Sequence, residues 1–119
     1  MRDYKNIKAY NLADNLVIEI YKMTKRFPKE ELYGLVSQLQ RAAVSIPANI
    51  AEGASRQHKR DYLNYLYNAR GSLSETEYLL HLSNELNYLT GEEYSNIEKL
   101  RVETSKALYG LITAVAKEL

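Results

Sequence analysis

Between Ile7 and Phe27, core-compatible side chains recur at Ala9, Leu12, Ala13, Leu16, Val17, Ile20, Tyr21 and Thr24. Spacings of three and four put one face of a helix against a core. Phe27-Pro28 ends that helix, because a residue before proline is pushed out of the α region. The pattern resumes at Leu35, Leu39, Ala42, Ala43, Ile46, Ile50 and Ala51 and keeps its phase through Pro47. An interior proline costs about 3 kcal/mol, so two readings arise. One is a kinked helix from about Leu32 or Val36 to Glu52. The other is a break, with Ser45 capping a restarted helix just before Pro47. The unbroken phase favours the kinked helix, with Gly53 as its stop.

A third helix is predicted from about Lys59 to Tyr88, with Tyr62, Tyr65, Leu66, Ala69, Leu73, Thr76, Leu79 and Leu80 facing the core. His58 and Asp61 occupy capping-box positions, where His is a weak substitute for Ser. Thr90, followed by Glu92 and Glu93, is a stronger start signal. The fourth helix then runs through Ile97, Leu100, Thr104, Leu108, Leu111 and Val115 to the end of the chain. No segment alternates with the period of a strand. Four helices joined by short connections return antiparallel, so the expected fold is all-α, an antiparallel up-and-down four-helix bundle forming one domain over 1–119. Apolar residues also lie off the main stripes, at Val102, Tyr109 and Ala116 on the fourth helix and at Leu63, Tyr67 and Tyr78 on the third. Two such outer faces point to self-association.

Composition narrows the function. The chain has 119 residues, 45% of them hydrophobic, with five Gly and two Pro, enough apolar surface for one core and little for loops. There is no cysteine, which removes disulfides, thiolate nucleophiles and Cys-ligated metals. Met1 to Tyr10 carries Arg2, Asp3, Lys5 and Lys8 with no apolar run behind them, which argues against a signal peptide. The uncharged stretches Ala42–Ala51 and Ala107–Ala116 are about half a membrane span. A cytoplasmic protein without membrane contact is expected.

The residues Phe27-Pro28, Glu31, Tyr33-Gly34-Leu35, Gln38 and Arg41 through Gly53 (RAAVSIPANIAEG), then Ala69-Arg70-Gly71-Ser72-Leu73 and Glu75, resemble a known family. It is that of the four-helix bundle proteins first noticed as open reading frames inside intervening sequences of bacterial 23S ribosomal RNA genes, sometimes labelled ribosomal proteins. The resemblance spans nearly the whole chain. It implies a ring-like homopentamer and a relationship to the accessory proteins of diversity-generating retroelements, which associate with reverse transcriptase and nucleic acid. Tyr10 stands where the family pattern has Trp, and His58 where it has Ser or Thr.

Two groups of polar residues are candidates for more than solubility. Arg41, Ser45, Asn49, Glu52 and Arg56 share one stripe of the second helix. Antiparallel pairing brings position 45 near 70 and position 41 near 75. This stripe is expected to form a structural network with Gly71, Ser72 and Glu75, in which Arg41 meets Glu75 and close packing explains Gly71. The other group follows from charge. Residues 1–60 hold eleven Lys or Arg against six Asp or Glu, while 61–119 hold five against nine.

In an up-down-up-down bundle, Arg2, Lys5, Lys8, Arg56, Lys59, Arg60 and Lys117 collect at one end against Asp3, Asp61 and Glu118, a net of +4. The opposite end sets five cations against six carboxylates. The basic end is the predicted contact for RNA or DNA, alone or beside a nucleic-acid enzyme; the alternative is a protein-protein interaction module. No catalytic, cofactor or metal site is expected. Glu77, His81 and Glu85 lie four apart on one helix, unlike the Glu-x-x-His of di-iron bundles. No phosphate loop, nucleophile elbow or HExxH occurs.

Overall fold

The computed structural model of the chain describes residues 2–119; Met1, included in the single domain expected over 1–119, lies outside them. Four long helices dominate: α1 (Lys8–Thr24), α2 (Ser37–Ala54), α3 (Lys59–Glu85) and α4 (Gly91–Lys117). No strand occurs among the described residues. Each of α1 and α3 packs on both α2 and α4, so these are diagonal pairs around a common core. At about 1.5 Å per residue, α3 and α4 are each roughly 40 Å long, matching the molecule's 45 Å axis. The architecture is the expected four-helix bundle.

Local chemistry explains most of the helix ends. The Asp3 carboxylate accepts from Lys5 N at 3.0 Å and caps a short 3-10 turn, Tyr4–Asn6, ahead of α1. Thr90 and Glu93 form a complete capping box at the start of α4: Glu93 N donates to Thr90 Oγ1 at 3.0 Å and Thr90 N to Glu93 Oε1 at 2.8 Å. His58 stands at the N-cap of α3 and supplies no side-chain bond. That helix ends at Glu85, short of the expected Tyr88, because Asn87 adopts a positive φ of 61°. The Tyr88 amide then donates back to Ser83 O at 3.0 Å, a Schellman closure with Asn in the place usually held by Gly.

Helix α2 is continuous through Pro47, as its apolar phase required, and is preceded by a 3-10 turn (Lys29–Glu31) and a π turn (Leu32–Val36). The backbone leaves helical geometry at Gly34, with φ −113° and ψ −107°. Gly53 corrects the expectation of a stop. It lies inside α2 without a positive φ, and α2 runs on to Ala54. A Cβ added at Gly53 would stand 2.7 Å from Tyr65 Cβ and 3.0 Å from Tyr62 Cδ1. The residue is needed because α2 and α3 cross closely there.

The core is formed by Leu16, Ile20, Leu39, Ile46, Ile50, Leu66, Leu80 and Leu108, all fully enclosed. Two expected orientations are corrected. Tyr21 is 43% exposed, and Met23, two residues on, is buried. Leu63, placed on an outer face by its sequence phase, is buried, since α3 packs against two neighbours and so buries a wide arc. The buried hydroxyls of Thr24, Thr76, Ser83 and Thr104 each donate to the carbonyl four residues back at 2.7 or 2.8 Å. They therefore enter the apolar interior without unpaired donors.

Candidate nucleic-acid interface

The topology brings the start of α1, the α2–α3 turn and the end of α4 to one end of the bundle. Direct contacts establish this. Arg2 Nη1 donates to Arg56 O at 2.7 Å and Ala54 O at 3.3 Å, and its guanidinium lies 4.3 Å over the Tyr62 ring. Lys59 Nζ approaches Glu118 Oε1 at 3.9 Å. Arg2 thus supplies donors to carbonyls at the α2 C-terminus, which lack helical partners. Burial pushes the Tyr62 phenol above its ordinary pKa.

The seven predicted cations fall into two groups. Arg2, Arg56 and Lys59 have internal partners. Arg56 pairs with Glu52 Oε1 at 2.9 Å, donates to Tyr65 Oη at 2.6 Å and stacks 4.8 Å above that ring. Lys5, Lys8, Arg60 and Lys117 have no carboxylate within ion-pair distance among the described residues, and all four are exposed. Arg2, Ser55, Arg56 and Gln57 line an open depression of about 730 Å³ at this end of the bundle. The opposite end carries one more carboxylate than cations. Arg26 pairs with Glu93 there, and the Tyr88 hydroxyl donates to Glu31 Oε2 at 2.8 Å. That hydrogen bond holds the Tyr88 phenol above its ordinary pKa.

The predicted polar network forms in two separate pieces. In one, Ser72 Oγ donates to Ser45 Oγ at 2.8 Å, and Asn49 Nδ2 donates to Ser45 Oγ at 2.9 Å and Ser45 O at 2.7 Å. The other is the Glu52, Arg56 and Tyr65 cluster. Arg41 and Glu75 join neither and form no ion pair among the described residues; both are exposed. The Ser45–Ser72 bond gives the reason. The helices pair 45 with 72 instead of 70, which sets Arg41 opposite buried Thr76 and turns Glu75 outward. Gly71 is likewise corrected: a Cβ there would meet nothing within 4 Å, so close packing does not account for it.

Glu77, His81 and Glu85 do not converge. Glu77 turns to Arg101 at 3.4 Å, and His81 Nε2 lies 3.9 Å from Glu85 Oε1. Arg101 is a partly buried cation that the apolar pattern does not single out. Its side chain is 11% exposed and donates through Nε and Nη2 to the two Glu98 oxygens at 2.7 and 3.0 Å. This carboxylate raises the guanidinium pKa further. The available signal was the Glu98-x-x-Arg101 spacing at the edge of the apolar stripe. Among the described residues no helix is long and apolar enough to cross a membrane.

Comparison with known proteins adds a family to this geometry. Residues 5–110 match the family model described as 23S rRNA-intervening sequence protein. A crystal structure from Bacteroides thetaiotaomicron, of a protein with unknown function from the S23 ribosomal protein family, is similar at a TM-score of 0.81. The two chains are 29% identical over 88% of this chain and 95% of that one. No curated protein matches the chain.

Proposed function

Because the chain belongs to the 23S rRNA-intervening sequence protein family, we propose that it is a homo-oligomeric scaffold whose basic end engages the phosphates of RNA or DNA. It has no catalytic activity of its own in this reading, works in the cytoplasm, and acts alone or beside a nucleic-acid enzyme. One observation carries the proposal: the bundle gathers Lys5, Lys8, Arg60 and Lys117 at a single end, while the cations of the other end lie among an excess of carboxylates. Side-by-side copies repeat those cations along one rim, where their fields add. The homopentamer implied by resemblance would present five such ends.

The test is binding of a fluorescent single-stranded RNA or DNA at low salt, followed as salt rises. Counterion release gives a slope of about −0.7 in log affinity against log salt for each phosphate neutralised on a single strand. Changing Lys5, Lys8 and Arg60 together to Glu is expected to abolish binding and leave the oligomer intact. Arg56 and Lys59 are left unchanged because their internal contacts would confound the result.

A second reading, a protein-protein interaction module, draws on the internal engagement of Arg2, Arg56 and Lys59. Absence of binding by the parent chain at low salt would select it.

A further inference from the structure

Carboxylates are unevenly spread along the two longest helices. Positions 62–74 of α3 and 104–117 of α4 contain no Asp or Glu, whereas 75–85 and 91–103 contain seven. Two contacts fix the register of this antiparallel pair: Lys59 approaches Glu118, and Glu77 pairs with Arg101. The acid-free stretches therefore lie level with each other in the half nearer the basic end, where they hold Arg70, Lys106 and Lys117. In the same half α1 carries Asp14 and α2 carries Glu52. Positive charge thus continues from the basic end along the α3–α4 side of the bundle.

Exposed aromatic rings share that side. Arg70 lies seven residues from Glu77 on α3, close to two full turns, so it borders α4 as Glu77 does. Tyr109 lies eight residues from Arg101 on α4, which sets it level with Arg70, roughly 11 Å nearer the basic end than the Glu77–Arg101 pair. Tyr109 is 69% exposed and lines a depression of about 540 Å³ with Arg101, Val102, Ser105 and Lys106. Across the seam the Arg70 guanidinium lies 4.8 Å over the ring of Tyr67, which is 39% exposed.

We infer that single-stranded nucleic acid follows this side of the bundle up from the basic end, with unpaired bases stacking on Tyr67 and Tyr109 and phosphates held by Arg70, Lys106 and Lys117. The inference rests on the nucleic-acid reading above and names the form of strand. Charge and shape select this occupant. Cations in a stretch without carboxylates match a polyanion, and exposed rings interleaved with them match flat partners. Bases paired in a duplex turn only their edges outward, so they cannot stack on a side chain. Arg70 serves both ends of the contact, since its guanidinium adds charge and steadies the Tyr67 ring through a cation–π contact.

Fluorescence anisotropy at low salt tests this with three labelled probes of equal length: an oligothymidylate, an abasic strand and a duplex. The parent chain is expected to bind oligothymidylate more tightly than the abasic strand, which keeps the phosphates and lacks the bases. Tyr67→Ala and Tyr109→Ala should each weaken oligothymidylate binding about fivefold or more. Both should leave abasic-strand affinity, duplex affinity, the salt slope and the oligomeric mass as in the parent, because no phosphate contact is lost. Tyr67→Phe and Tyr109→Phe keep a ring for stacking and should bind as the parent does. If an alanine variant loses helicity, the abasic comparison still decides, since it needs no substitution. A parent that binds both single strands equally, or alanine variants that bind as the parent does, overturns this inference alone and leaves phosphate contact at the basic end standing. A changed oligomeric mass assigns the tyrosines to contact between copies and overturns it too. A parent that binds no probe at low salt overturns the inference together with the nucleic-acid reading.

Discussion

Replacing Gly53 with Ala probes the closest approach in the bundle. In an open helix interior the change would stabilise by about 0.5–1 kcal/mol, because Ala loses less conformational freedom on folding. At Gly53 the new Cβ would lie 2.7 Å from Tyr65 Cβ and 3.3 Å from the Tyr62 carbonyl oxygen. Carbon atoms prefer about 3.5–4.0 Å, so α2 and α3 must part by roughly 1 Å at this crossing. Neither obstacle is the end of a flexible side chain. Overpacking of this kind costs about 1–3 kcal/mol; with the midpoints of both ranges it outweighs the entropic gain and leaves a net loss of about 1 kcal/mol.

Gly71→Ala is the internal control, since nothing stands within 4 Å of its new Cβ; it should stabilise by about 0.5–1 kcal/mol. Urea denaturation followed by circular dichroism, at one protein concentration because association shifts apparent stability, measures both. For a domain of this size, 1 kcal/mol corresponds to about 4 °C in melting temperature. A Gly53→Ala variant as stable as the parent, or a destabilised Gly71→Ala, would refute the close-approach argument.

Other substitutions have defined outcomes. Thr90→Ala removes half of the α4 capping box and should cost about 1 kcal/mol, visible as faster amide exchange in the first turn of α4. Ser45→Ala deprives Ser72 and Asn49 of their shared acceptor and should cost about 1 kcal/mol in urea denaturation. Glu75→Ala should leave the same measurement within about 0.5 kcal/mol of the parent, because Glu75 is exposed and has no ion-pair partner among the described residues.

The Tyr88 pKa is raised first by its hydrogen bond to Glu31, and that of Tyr62 by burial. A raised folded-state pKa means the folded chain holds the proton more tightly. The associated stability is thus complete below the ordinary tyrosine value of about 10 and is lost as pH rises through the folded values. Absorbance titration near 295 nm should show these phenols ionising later than free tyrosine, and Tyr88→Phe should reduce the alkaline loss of stability.

What the sequence determined by itself was the set of helices, because each apolar stripe is a local, periodic property. The stripe through Ile46 and Ile50 kept its phase across Pro47, so the helix could be read as continuous before its packing was known. The Thr90 and Glu93 signal was legible for the same reason: a capping box lies within four residues. Up-and-down topology followed from connections too short to cross the bundle, and that topology placed the basic residues at one end. Tertiary structure decided register and partners. The register that gives the observed Ser45–Ser72 bond sets Arg41 level with Thr76 and not with the expected Glu75, and periodicity along one helix contains no information about its neighbour's offset. The same holds for Gly53, whose role depends on how closely a second backbone passes, and for Arg2, whose guanidinium reaches carbonyls more than fifty positions away in the chain. Which cations are engaged by internal partners is likewise a property of side chains meeting across helices, and only the packed bundle specifies it.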